Sequence, residues 1–594
     1  MRFGRLRLLV TSVAVALVGA AQAAVFHYDS ASRLCPWDLV NSPGGGSVGT
    51  NAVNPKTRAI RFFLASDGYS TTNTVAELNA VRAAFAVWQA TTNSILKFEE
   101  GGTVSPPVDV NYADKTNLVF WAKQSTLVRG GTADITGLAA ETFLATSGGV
   151  MLAADTVLNG VNYAWFTDFD AIPVASGYYC VEAIVTHELG HWIGIEHSPV
   201  GGTTLFYRDH GGIGPYIGLS TDERLAVQFL YPTNGLLATR GRIEGTVTWA
   251  GTNVLGALVV AEDAAGNVTS ATLSRTNGTY FLPALPAGTY LLRTCPLDPA
   301  TANVFLSRGK DIVNSEYASA QTGFLPTANS SVTVAAGQTR TVNVAVTGGT
   351  TSLRIIGIRP PSTNLVHAFP GNATATMRVG QSNYFVGVWS QDSLAGATLG
   401  ITGDGVTTQP LGVSTPYFGY NLILVNASVS SNATPGLRTF VLNRGTNVAY
   451  ANGFFEIAPA FPDDNFDGLD DRFQRRYFPL WTAAVAGPKA DPDGDTFTNQ
   501  YEYLAGTDPT DAASRPTVEL NDVTLNRTGT TITWPAVPGA KYQVWRRDRF
   551  GATDAWSTNM AGSLVTATNA TAQFLDPTST NRVRFYRVQL LPGL

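Results

Sequence analysis

A chain of 594 residues is too long for one hydrophobic core, because single domains usually run to about 100 to 200 residues. A formal net charge of -5 without any basic run excludes an electrostatic case for nucleic acid or anionic lipid as partner, and 44% apolar residues exclude disorder. Three cysteines, Cys35, Cys180 and Cys295, exclude a disulfide-dense scaffold but permit one bridge in an oxidising compartment.

The chain opens with Arg2, Arg5 and Arg7, an apolar run from Leu8 to Val18, and small residues ending in Ala21-Gln22-Ala23. This is the pattern of a signal peptide cleaved after Ala23, with an apolar run too short to span a bilayer. No later stretch is long and apolar enough for a membrane helix, so a secreted, extracellular protein is expected.

Residues 24–235 read as mixed α/β. Arg58 to Ala65 has strand character, and Val75, Leu78, Val81, Ala84, Phe85 and Trp88 fall at helical spacing. Strand-like runs follow at Ile95 to Glu99, Asn117 to Ala122 and Gly149 to Ala153. Cys180 to Ile195 is helical by its apolar spacing, with Gly194 where a helix stops in a left-handed turn. A final helix starts at Ser220, whose pairing with Glu223 is a capping box. Beyond it short strands alternate with Gly, Pro, Asn and Ser, and residues 240–348 and 349–458 each fit a β-sandwich.

His187 and His191 are four residues apart on a helix, so both imidazoles leave one face and can hold one ion. Glu188 lies beside them, Gly194 lets the chain turn, and His197 returns as a third nitrogen ligand. The fourth position stays open, which is what separates a catalytic zinc from a structural one. Zinc-activated water with Glu188 as general base and later proton donor is the chemistry such a set supports. Six histidines occur in the chain, and chance placement of three of them at these spacings beside Glu and Gly is remote.

The run His187-Glu188-Leu189-Gly190-His191-Trp192-Ile193-Gly194-Ile195-Glu196-His197-Ser198-Pro199 resembles the zinc-binding consensus of the matrixins, a branch of the metzincin peptidases. Asn73 to Glu100 resembles the matrixin first helix and the strand after it, and Leu219 to Tyr231 resembles the last helix. The resemblance implies a five-stranded sheet over two long helices. It also implies a peptide substrate lying antiparallel to an edge strand, here Gly149 to Asp155. Metzincins carry a methionine beneath the zinc, whereas no Met occurs here between Met151 and Met377, and Leu205 or Phe206 is expected in its place. Tyr207 matches a tyrosine that is a fifth ligand in some metzincins and is expected as a pocket wall; His210 is expected as a loop residue. Asp155 corresponds to an acidic residue near the matrixin calcium region. Cys35, in Arg33-Leu34-Cys35-Pro36-Trp37-Asp38, departs from the matrixin cysteine-switch motif, and a Cys35 to Cys180 disulfide is the expectation instead.

Gly241 to Val247, Gly256-Ala257 and Asn277 to Tyr290 resemble the carboxypeptidase regulatory-like β-sandwich, which implies a spacer or adhesion module over residues 240–348. Residues 349–458 are Ig-like by strand pattern, with His367 structural or exposed. Asp491, Asp493, Asp495, Phe497, Asn499 and Glu502 fall at positions 1, 3, 5, 7, 9 and 12 of an EF-hand-type calcium loop, Phe497 through its carbonyl. Asp463, Asn465, Asp467 and Asp471 form a weaker loop in which Gln474 replaces the closing carboxylate. Together the loops make residues 459–515 similar to thrombospondin type 3 or dockerin-like calcium repeats. Residues 516–594 resemble a fibronectin type III domain, with Trp534, Tyr542, Trp545 and Trp556 assigned to its core.

The expectation is a multidomain, secreted zinc metalloendopeptidase that acts on protein or peptide substrates. Its cofactors are a catalytic Zn2+ and structural Ca2+, and its C-terminal β-domains contact a cell surface or matrix polymer. The alternative is a zinc-binding but weakly active or inactive extracellular adhesion protein.

Overall fold

The computed structural model describes residues 25–29, 32–40, 51–168, 177–206, 218–297, 317–350, 352–365, 371, 373–417, 419–514, 522–526, 528–536, 538–548, 556–579 and 584–591. The expected signal peptide at residues 1–23, Tyr207, His210 and His367 lie outside the described residues. The chain divides into two compact units, residues 1–72 with 91–460 and residues 73–90 with 461–594.

In the first unit, β1 (Ile60–Ala65), β2 (Phe98–Val104), β3 (Leu118–Ala122), β4 (Ala140–Ser147) and β5 (Val150–Asn159) form one sheet in the order β2-β1-β3-β5-β4. All neighbours run parallel except β4, which is antiparallel to β5. The sequence of β3, Leu-Val-Phe-Trp-Ala, is buried at every position, as befits an interior parallel strand covered on both faces. The edge strand expected at Gly149 to Asp155 is therefore corrected. That run belongs to β5, which pairs with β4 along one side. Its other side meets β3, the Pro36 carbonyl and the Asn117 side chain. The outer edge is β4, which pairs with no other strand among the described residues.

Helix α2 (Val181–Trp192) follows, and Gly194 at φ 90° turns the chain after it. Helix α3 (Thr221–Leu230) starts with the capping box expected of Ser220 and Glu223. Residues 25–29 and 32–37 wrap the C-terminal end of α2. Phe26 bridges to Ile195, Trp37 Nε1 donates to the Trp192 carbonyl at 2.7 Å, and Tyr231 Oη donates to the Ile193 carbonyl at 2.8 Å.

The rest of the unit is all-β. Residues 241–295 and 330–346 form two sheets around a core that includes Ile243, Val259, Tyr280 and Leu292. Residues 357–458 form two further sheets around Met377, Val388, Phe440 and Phe455. A buried ionic network joins these two sandwiches: Arg293 Nη2 donates to Glu262 Oε1 at 2.6 Å, to Thr439 Oγ1 and to Asn452 Oδ1.

In the second unit α1 (Thr74–Gln89) buries Leu78, Val81, Phe85 and Trp88 as its spacing predicts, but Val75 at its first turn is 70% exposed. Short helices at Asp471–Tyr477 and Asn499–Ala505 follow the two acidic loops, and residues 522–590 hold two three-stranded sheets. Trp534 and Tyr542 are core residues of that region. Trp545 and Trp556 are not: both are only partly buried, and they flank the Arg587 guanidinium at 4.8 and 4.9 Å. Among the described residues no helix is long and apolar enough to cross a membrane.

Candidate metal centre

Helical spacing brings His187 and His191 to one face of α2, and the turn at Gly194 returns His197 to them. One ligand nitrogen from each residue lies within 4.8 Å of the others. His187 Nε2 and His197 Nε2 are 3.0 Å apart, close to the ~3.3 Å between two nitrogens bound at zinc distance to a tetrahedral ion. Backbone carbonyls fix two of the rings. His187 Nδ1 lies 2.8 Å from the Thr204 oxygen and His191 Nδ1 lies 2.9 Å from the Ile195 oxygen. A carbonyl can only accept, so the proton sits on Nδ1 and the Nε2 lone pair is left for a metal. The donor set fits zinc.

Glu188 is 6% exposed. Thr142 on β4 donates from Oγ1 to Glu188 Oε2 at 2.6 Å, and Thr142 in turn lies 2.7 Å from Thr156 Oγ1, which accepts from Trp192 Nε1. Burial raises the Glu188 pKa above the ordinary carboxylate value, with His191 and Thr142 working in the opposite direction. Glu141, the neighbour of Thr142 on β4, is also raised, by burial and by the Glu188 charge.

The floor beneath the imidazoles is Leu205, not Phe206. A Cβ on Gly190, between the ligands on α2, would lie 2.4 Å from Leu205 Cδ2. Leu205 N donates to Glu223 Oε1 at 2.7 Å, and its carbonyl accepts from Ser198 N. The α3 cap thus ties the floor to the segment after His197. Phe206 packs its ring edge-on against Phe454, 5.3 Å between centroids. On the opposite flank Glu196 pairs with His27 Nδ1 at 2.6 Å.

The Cys35 to Cys180 disulfide is corrected: no disulfide joins any of the three cysteines. Cys180 precedes the first turn of α2, whereas a Cβ on Gly194, beyond the last turn, would lie 3.2 Å from the Cys35 carbonyl. A helix of 12 residues separates the two by about 18 Å, well beyond disulfide reach. The Asp155 carboxylate accepts from Asn111 N and Leu118 N, and burial pushes its pKa up to about 7.

Of the two acidic loops, the second brings Asp491, Asp493 and Asp495 together, with one ligand oxygen from each within 4.8 Å of the others. Asp493 Oδ2, Asp495 Oδ2, Asn499 Oδ1 and Glu502 Oε2 are all buried without a hydrogen-bond partner. Burial, with Asp493 and Asp495 adding repulsion, pushes the Glu502 pKa up to about 7. In the first loop Gln474 Nε2 donates to Asp467 Oδ2 at 2.8 Å, and Asp467 also accepts from Asn465. Burial, then Asp464 and Asp463, raise Asp471 to about 9.

Residues that the sequence reading missed are Thr142, Thr204, Glu223 in its second role, and Phe454. The signal for the last was the Gly201-Gly202 pair, which marks a close approach of another chain segment.

A family model described as matrixin matches residues 56–232. No curated protein matches the chain. Among solved structures, similarity extends to the major pilin SpaD of Corynebacterium diphtheriae, at 9% identity over 60% of this chain and 88% of that one, with a TM-score of 0.15. For the minor pilin GBS52 of Streptococcus agalactiae the values are 12%, 19%, 47% and 0.13, so the chain spans about half of that pilin. For fervidolysin of Fervidobacterium pennivorans, a keratinolytic enzyme related to subtilisin, they are 11%, 58%, 55% and 0.14. Scores this low establish no shared overall fold.

Proposed function

We propose, from the premise that residues 56–232 are a matrixin-like metallopeptidase domain, that the protein is a secreted zinc endopeptidase that cleaves peptide bonds of extracellular proteins. The observation that carries this reading is Glu188, a buried carboxylate beside three convergent imidazoles and held by Thr142 through one oxygen.

His187, His191 and His197 would hold the zinc. When bound, zinc supplies a Lewis acid that polarises a carbonyl and lowers the pKa of water to about 7. Thr204 and Ile195 keep two imidazoles in the tautomer that offers Nε2. Thr142 holds Glu188 Oε2, so Oε1 takes the proton from the attacking water and returns it to the leaving amine. The outer edge of β4 offers unpaired backbone groups to a peptide lying antiparallel to it, which reads the substrate backbone first.

Zinc content and casein hydrolysis of the full chain, wild type and Glu188→Ala, test this. Hydrolysis lost with zinc retained supports it, and equal hydrolysis in both refutes it. Bound zinc without hydrolysis in either favours the alternative, a zinc-binding adhesion protein, to which the absent methionine points.

Calcium belongs to the same reading. Four buried, unpartnered oxygens around the loop at 491–502 are costly without a cation, and hard oxygen ligands at EF-hand spacing suit Ca2+. The loop at 463–474 is closed in part by the Gln474 amide and is expected to bind more weakly.

A further inference from the structure

The segment between His197 and the floor residue is built into a neighbouring domain. Val200 and Gly201 are buried against the strand Asn447–Ala458 of the 357–458 sandwich, and Gly201 N donates to the Asn452 carbonyl at 2.9 Å. A Cβ on Gly201 would lie 2.5 Å from the Phe454 ring. Gly202, at φ +72°, would place a Cβ 2.6 Å from Leu437 and 2.9 Å from the Gly453 carbonyl. Phe206, 1% exposed, joins the core of that sandwich and meets the same Phe454 ring edge-on. One side chain therefore touches both ends of the loop that carries Thr204 and Leu205.

Thr204 orients His187, Leu205 packs beneath Gly190, and Ser198 follows the third ligand. We infer that Phe454 is a positioning residue for the metal centre, clamping the loop 198–206 so that the Thr204 carbonyl and the Leu205 side chain stay seated under α2. In metzincins a methionine fills this floor from within the catalytic domain. Here Leu205 fills it and the downstream β-sandwich holds it in place. This inference rests on the reading that His187, His191 and His197 bind zinc.

Its test uses the full chain. Zinc affinity by chelator competition and the visible spectrum of the Co2+-substituted protein are measured for wild type, Phe454→Ala, Phe454→Leu and Val388→Ala. Val388 is fully buried in the same sandwich core, so its truncation destabilises that domain while leaving the Phe454 contacts to Gly201 and Phe206 in place. Outer-shell partners of metal ligands typically change metal affinity by about 10-fold to 100-fold. Zinc binding weakened by about that factor in Phe454→Ala, with an altered cobalt spectrum, recovery in Phe454→Leu, and wild-type behaviour in Val388→Ala, is the expected result. Wild-type affinity and spectrum in Phe454→Ala, or an equal change in Val388→Ala, overturns the clamp. Absence of metal binding in the wild type overturns the zinc reading instead.

Discussion

Thr142 Oγ1 donates to Glu188 Oε2 across 2.6 Å, joining the edge strand to the helix that carries His187 and His191. The contact orients one carboxylate oxygen and, on the proposed reading, leaves the other for proton transfer. Thr142→Val keeps the shape and removes the donor, so kcat on a peptide substrate is expected to fall about 10-fold to 100-fold. Zinc content should not change, and Thr142→Ser should restore most of the rate. A rate unchanged in Thr142→Val would show that Glu188 needs no such support.

Leu205 is fully buried under Gly190. Leu205→Met is close to volume-conserving and is expected to cost under about 1.5 kcal/mol. Leu205→Ala opens a cavity beneath the ligands and is expected to cost about 2 to 5 kcal/mol and to weaken zinc binding. Urea unfolding of both variants, with and without zinc, separates the two effects.

Asp222 is 2% exposed at the start of α3, with one oxygen accepting from Ala271 N. Burial pushes its pKa up to about 7 from 3.8. Between those values the unfolded chain has lost the proton while the folded chain keeps it, so stability from this group falls as pH rises toward 7. Asp222→Asn is expected to remove that slope and to raise stability at pH 8 relative to pH 5. Denaturant midpoints at the two pH values check it, and an unchanged slope in the variant would count against the assignment.

Glu262 and Arg293 form a buried pair, 1% and 0% exposed at their side chains. Glu262→Gln leaves the guanidinium buried without its counter-charge, and a loss of about 3 to 5 kcal/mol is expected. Recovery in a double variant, Glu262→Leu with Arg293→Met, would show that the cost is desolvation and not lost packing. Thermal unfolding of single and double variants is the measurement.

Glu502 closes the second acidic loop, with Oε2 buried and unpartnered. Calcium is expected to raise the melting temperature of the wild type and to raise that of Glu502→Gln far less, because the bidentate closing carboxylate is gone. Calorimetric titration should give one strong site in the wild type. A shift of equal size in both proteins would place the ion elsewhere.

What the amino-acid order alone determined about this protein is whatever depends on neighbours a few residues apart. The i, i+4 pair His187 and His191, the turn at Gly194, the Ser220 and Glu223 capping box and the spacing of Asp491, Asp493 and Asp495 are local geometry, and each is found as the spacing predicts. Contacts between distant segments were not legible. Thr142 and Glu188 are 46 positions apart, and no periodicity links them. The Cys35 to Cys180 pairing failed because cysteine chemistry carries no information about which end of α2 the N-terminal segment wraps. The edge strand was misplaced by one because strand order, unlike strand content, is set by which surfaces pack. Only the tertiary structure decided between Leu205 and Phe206 as the floor, since both are apolar and adjacent. It turned Leu205 toward Gly190 because Phe206 was already taken into the sandwich beside Phe454.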